Sequence, residues 1–268
     1  MMQPGTFAFG AILNMDTYIR ERILVIWVEI FAYGVYAVLF SICLHLFRNR
    51  TKPHPWVIVA TVLLFVLSTI KLGLDQASVV QAFASIGSDS SFNRSLDKAA
   101  VYIYVSANAV SDALLIYRCA IVWESRKFVL ALPLLLSFAS AIAGYSSQYT
   151  GSLFIILSMI TNTLVTALIA GRIWWISRRL RAFLGSTYTE YTAAIAIIVE
   201  SGLMCTISTV VFTVTYNEQS ARWAAYYFSS QAIGIAPTLI LVRVGLGTGT
   251  YEESLKTLEL TSKRQSTV

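Results

Sequence analysis

Glu29, Asp112 and Glu200 each stand inside a long apolar run. At a helix centre in a bilayer a charged side chain costs roughly 2.5–3.5 kcal/mol on insertion scales, so each needs a partner, a water-filled cavity or a task. Asn108 and Asp112 are spaced to share one helix face, as are Asn162 and Thr166 on a later run. These four are expected to line one polar seam between two helices. Two readings stay open for it, interhelical hydrogen-bond glue or a water- or ion-containing switch core. Nearer the end of its run Arg118, preceded by Tyr117, either snorkels to the interface or pairs with an acid, for which Glu190 and Glu200 are the candidates. A pair that closes at rest and opens on activation would hold a two-state equilibrium.

The absences speak against catalysis. Zinc and haem sites need several histidines, and this chain has 2, His45 and His54, both at the expected first loop. Neither lies at depth beside a Gly-x-Ser-Gly serine, as a Ser–His protease would require. The last apolar run contains no lysine for a Schiff base, and Asp112 is the only aspartate well inside an expected span. No enzyme activity, cofactor or metal is expected.

The elements that must position these residues are helices crossing a membrane. Hydrophobic residues make up 56% of the 268 and charged residues 13%, about half the usual share for a soluble domain. The mean hydropathy is +0.67. Apolar blocks of about 19 to 25 residues match the length that crosses roughly 30 Å of hydrocarbon. The expected spans are 23–47, 56–75, 99–123, 128–148, 152–176, 192–215 and 223–243, an all-α bundle of seven helices. A short Gly/Ser/Thr turn around Thr150 and Gly151 divides the fourth from the fifth. Pro133 is expected to perturb the fourth helix, and Pro237, within GIAPTLIL, to kink the seventh and give it a hinge.

Lysine and arginine set the orientation, because basic loops are retained in the cytoplasm. With the N-terminus outside, the outer side holds only Arg20, Arg22, Lys71, Arg94, Lys98 and Arg222, and the other fourteen of the 20 lie inside or at inner helix ends. Residues 1–22 are then an extracellular segment, 23–243 the membrane domain and 244–268 a cytoplasmic tail. The first fifteen residues lack the basic start of a cleaved signal peptide, so the first helix is expected to direct insertion. Of two Asn-x-Ser/Thr tripeptides, at Asn49 and Asn93, only Asn93 would then be placed for N-glycosylation. The formal charge of +6 forms no stripe with interleaved aromatics, so nucleic acid is not an expected partner. Trp123, Trp174 and Trp175 at inner helix ends, and Tyr226 and Tyr227 at an outer one, read as interfacial anchors. Cys43, Cys119 and Cys205 all lie in apolar blocks, where a disulfide framework is not expected.

Three strings carry a resemblance: SDALLIYRCAIVW in the third helix, TNTLVTALIAGRIWWISRRLR through the fifth and GIAPTLILVRVGLG in the seventh. Together they resemble a group of seven-helix integral membrane proteins of mushroom-forming (basidiomycete) fungi. The resemblance runs from the first helix to Gly247 and implies a G-protein-coupled-receptor-like architecture without supplying a ligand. Tyr117-Arg118-Cys119 is similar in placement to the acid-Arg-aromatic triplet of rhodopsin-like receptors, with Tyr117 where those have an acid. The seventh helix has Ala236-Pro237-Thr238 in place of their Asn-Pro-x-x-Tyr string.

The expected function is a receptor-like sensor in the plasma membrane. Its expected partners are the lipid bilayer, a small ligand arriving from outside or from the lipid, and a signalling protein on the basic cytoplasmic face. A small-solute transporter is the alternative, although the prolines do not match between two halves as in the repeat-built carriers. A structural or accessory membrane protein without a ligand is a third reading.

Overall fold

The computed structural model describes residues 4–49, 54–84, 91–124, 127–146, 152–184, 207 and 227–242, with side chains described over most of these. Apart from the α3–α4 turn, His54 and the single residue 207, they form six helices: α1 (Pro4–Asn49), α2 (Pro55–Ala84), α3 (Ser91–Val122), α4 (Lys127–Ser146), α5 (Ser152–Leu184) and α6 (Tyr227–Val242). The first five are long and apolar enough to cross a membrane, and α6 is shorter and apolar. The protein is therefore a helical integral membrane protein. Apart from position 207, the expected sixth span, 192–215, lies outside the described residues, as do Glu190 and Glu200 on either side of its start.

α1, α2, α3 and α5 outrun the expected spans. α1 is helical from Pro4, ahead of position 23, and α2 continues from the expected end at Asp75 to Ala84. α3 begins at Ser91, so the Asn93 tripeptide falls in its first turn and not in a loop before it. Backbone hydrogen bonding propagates a helix past the hydrocarbon edge wherever no proline or glycine stops it, so hydropathy marks the apolar part and not the helix end.

α3 is the central helix, packed against α2, α4 and α5. Over half of its spanning segment, 56%, is buried, against 17% for α4. The exposed residues of α1 and α4 explain the difference. Trp27, Phe31, Val35, Val38 and Ile42 form one outward stripe on α1, and Leu132, Leu135, Phe138 and Ile142 form another on α4. Such stripes suit hydrocarbon and would be costly in water.

Three apolar clusters hold the bundle. The largest joins Leu64 of α2, Val105 and Leu114 of α3, Phe154 of α5 and Ile233 of α6. A second joins Cys119 of α3 to Val165 and Ile169 of α5 and Ile240 of α6. The third sets Cys43 and Leu46 of α1 against Val242 of α6. Two glycines permit the closest approaches. A Cβ on Gly234 would lie 2.6 Å from Cζ of Tyr36, and one on Gly144 would lie 2.7 Å from a Val105 methyl.

Candidate functional site

The sequence places Glu29 on the α1 face shared with Ala32, Tyr36 and Cys43, all buried. Glu29 itself is fully buried and faces the bundle interior, as expected. Opposite it on α2 stand Lys71 and Asp75, four apart and so on one face, both buried. The Lys71 ammonium pairs with Asp75 and lies 3.9 Å from Oε1 of Glu29. From α6, Nε2 of Gln231 donates to the same Glu29 oxygen at 3.5 Å. Two tyrosine rings complete the surroundings of the ammonium, Tyr227 at 5.2 Å and Tyr104 at 5.9 Å from their centroids.

This arrangement corrects two sequence expectations. Lys71, counted among the outer-side basic residues, is the buried centre of an ion cluster, and Tyr227 is a buried member of that cluster and not an interfacial anchor. The physical reason is the continuation of α2: once the helix runs past Asp75, both charges enter the bundle and must meet partners there. Asp75 accordingly joins Asp112 as a second aspartate inside a span. The signal available in the sequence was the i,i+4 pairing of Lys71 with Asp75 and of both with a glutamate on a neighbouring helix.

The second polar group centres on α3. Asn108 donates from Nδ2 to Oδ2 of Asp112 at 3.2 Å, and the Ser137 hydroxyl of α4 donates to the same oxygen at 3.4 Å. On α5 the partner of Asn108 is Ser158, whose hydroxyl donates to Oδ1 at 2.9 Å. The hydrogen bond between α3 and α5 comes from Ser158, one turn before the expected partner Asn162. Asn162 instead lines a cavity of about 20 Å³ with Tyr104, Asn108, Ser158 and Ser229, room for one water molecule. Thr166 is half-buried, a further turn along α5, and is not part of that lining.

Tyr104 is common to both groups, bordering the cavity and facing the Lys71 ammonium. Several buried oxygens around them have no hydrogen-bond partner among the described residues: Oε2 of Glu29, Oε1 of Gln231, Oδ1 of Asp112 and Oγ of Ser229. Buried acceptors left open in this way mark places that water, an ion or a ligand group completes.

α6 is fastened to both groups around Pro237. The proline lacks an N–H for the carbonyl of Ile233, and the Ser111 hydroxyl of α3 donates to that carbonyl at 3.0 Å. One residue on, the Thr238 hydroxyl donates to the carbonyl of Gly234 at 2.8 Å, and Gly234 is the point where Tyr36 of α1 packs. At the position expected to hinge, the helix runs on through its proline, with the Ser111 side chain replacing the lost backbone bond. Near the other end of α3, Arg118 is half-buried, and the Tyr117 ring lies 6.5 Å from that of His54. The acids expected to pair with Arg118, Glu190 and Glu200, lie outside the described residues.

Comparison with protein-family models, with curated proteins and with solved structures yields no match to this chain.

Proposed function

We propose that this protein is a receptor-like seven-helix membrane sensor, with its N-terminus outside, its C-terminus in the cytoplasm and the plasma membrane as its site of action. The observation that carries the reading is the Glu29–Lys71–Asp75–Gln231 group, which ties α6, the helix after the undescribed segment, to α1 and α2 by charge and hydrogen bonding. A buried ionic tie on a proline-containing helix suits a bundle with two alternative packings. A small extracellular or lipid-soluble ligand would bias that equilibrium from between α3, α5, α6 and the 192–215 segment, next to the cavity beside Tyr104 and Asn108. The basic inner loops would present the signal to a cytoplasmic protein. The resemblance of the helix 3, 5 and 7 strings to the basidiomycete seven-helix group supports the same reading, which involves no catalytic step.

Hydrogen exchange on full-length protein in lipid nanodiscs tests it. Gln231→Leu releases α6 from Glu29 without removing a charge, so exchange in 227–242 should quicken. If Gln231→Leu and Arg118→Ala both fold and leave exchange and signalling readouts at wild-type values, the sensor reading fails. Topology is checked separately by the glycosidase-sensitive mass shift after secretory-pathway expression. Loss of that shift in Asn93→Gln with its retention in Asn49→Gln would support the proposed orientation; dependence on Asn49 would reverse it.

A second reading, a small-solute transporter, is favoured by the same buried charges, because ionisable residues at membrane depth also mark ion pathways. Solute uptake by reconstituted vesicles that is lost in Glu29→Gln would establish it in place of the sensor.

A further inference from the structure

Where the spanning parts of α3 and α5 end, at Val122 and Ile176, Arg172 meets two indole rings. Its guanidinium carbon lies 5.2 Å from the Trp123 ring and 4.8 Å from the Trp175 ring. Trp123 is itself fixed, since its Nε1 donates to the Leu168 carbonyl at 3.2 Å and its ring packs on the Cys119–Ile169 cluster. Beyond the span, the Arg178 guanidinium lies 5.3 Å from the Trp174 ring. Trp174 and Trp175 are exposed by 51% and 41%. Arg179 and Arg181 follow in the sequence, and the one acid at the adjoining α3–α4 turn is Glu124, exposed and in the left-handed conformation.

Three properties of this group point to a ligand. It lies near the ends of the α3 and α5 spans, where apolar length places the boundary between hydrocarbon and headgroups. Its cation is held in place by aromatic contacts and not by an acid: among the described residues Arg172 forms no ion pair, and its buried Nε has no hydrogen-bond partner. A cation–π contact uses the face of the guanidinium and leaves its in-plane N–H donors for an anion, in the fork geometry that matches phosphate. We propose that Trp123, Arg172 and Trp175 form a binding site for the phosphate of an anionic phospholipid headgroup, with Arg178, held on Trp174 further along α5, adding to the local positive charge. Basic groups between helices at this depth bind acidic headgroups in the same way. The site does not depend on the sensor reading or on which leaflet it faces.

Native mass spectrometry of the full-length protein, offered equimolar phosphatidylglycerol and phosphatidylcholine of the same acyl chains, tests the site. Wild type should retain phosphatidylglycerol preferentially, and Arg172→Gln should lower that preference about fivefold, the effect of one basic residue near an anionic surface. Trp175→Leu keeps every charge and removes one ring, and should also lower the preference if the stack orients the cation. Where circular dichroism shows Arg172→Gln misfolded, Trp175→Leu and Arg178→Gln decide by the same readout. Equal retention of the two lipids by wild type overturns the proposal, as does a preference unchanged in the folded variants. Displacement of the lipid by millimolar inorganic phosphate would likewise overturn it in favour of a soluble anion.

Discussion

The Ser111 hydroxyl stands in for the N–H that Pro237 lacks, donating at 3.0 Å to the Ile233 carbonyl that the proline leaves open. The two residues lie on different helices and form one structural unit. Ser111→Ala should therefore destabilise the protein by about 1–2 kcal/mol, the cost of orphaning a buried acceptor. In a Pro237→Ala background the helix regains its own donor, so the same change should cost at least about 0.5 kcal/mol less. Unfolding of the four variants in mixed micelles measures the coupling; additive effects would break the link between the two residues.

Gly234 is set by the Tyr36 ring. An added Cβ would come within 2.6 Å of Cζ and 2.7 Å of Cε1 of a fully buried side chain. Gly234→Ala should cost about 1–3 kcal/mol through overpacking, and Tyr36→Leu in the same chain should recover part of the loss. Gly171 offers the control, because nothing lies within 4 Å of its position. There the alanine should be neutral or stabilise α5 by up to about 1 kcal/mol. Thermal unfolding of the three single variants and the double variant separates steric contact from helix propensity.

The architecture was legible where the physics is one-dimensional. Apolar length located α1 to α6 to within the spanning parts of each helix, and the cost of burying charge predicted that Glu29 and Asp112 would turn inward, where both are buried. What could not be read was which charges enter the bundle together. Lys71 stands close to an expected span end, where a long cation ordinarily snorkels to water. Only the continuation of α2 past Asp75, with Glu29 waiting on α1, makes burial the better outcome. Gln231 and Ser158 escaped notice for a related reason: a neutral polar residue within an apolar run carries no large insertion cost, so nothing in the sequence alone separates it from its neighbours.

Lys71 should be the most sensitive single position of the ion cluster. Lys71→Met leaves Glu29 and Asp75 facing each other without a cation and should cost about 3–5 kcal/mol. Replacing the cluster as a whole with neutral groups, Glu29→Gln, Lys71→Met and Asp75→Leu together, should restore most of that loss, because no buried charge then lacks compensation. Folded yield and unfolding midpoints of the single and triple variants check the comparison. Equal loss in both would mean that packing volume, and not charge, holds α1 against α2.

Ser158 and Thr166 separate the seam expected from residue spacing from the one the helices form. Spacing alone assigns Asn162 and Thr166 as the α5 partners of Asn108 and Asp112, because each pair shares a helix face. Packing instead brings Ser158 to Asn108 at 2.9 Å, while Thr166 sits half-buried a further two turns along. Ser158→Ala should therefore destabilise by about 0.5–1.5 kcal/mol, the range for one interhelical hydrogen bond in a membrane, and Thr166→Ala by less than about 0.5 kcal/mol. Asn108→Ala combined with Ser158→Ala should cost less than the two changes separately, since each alone orphans the other's polar group. If Thr166→Ala proves the costlier of the two threonine and serine changes, α5 is rotated relative to α3 from the packing described above, and the cavity beside Tyr104 loses its Ser158 wall.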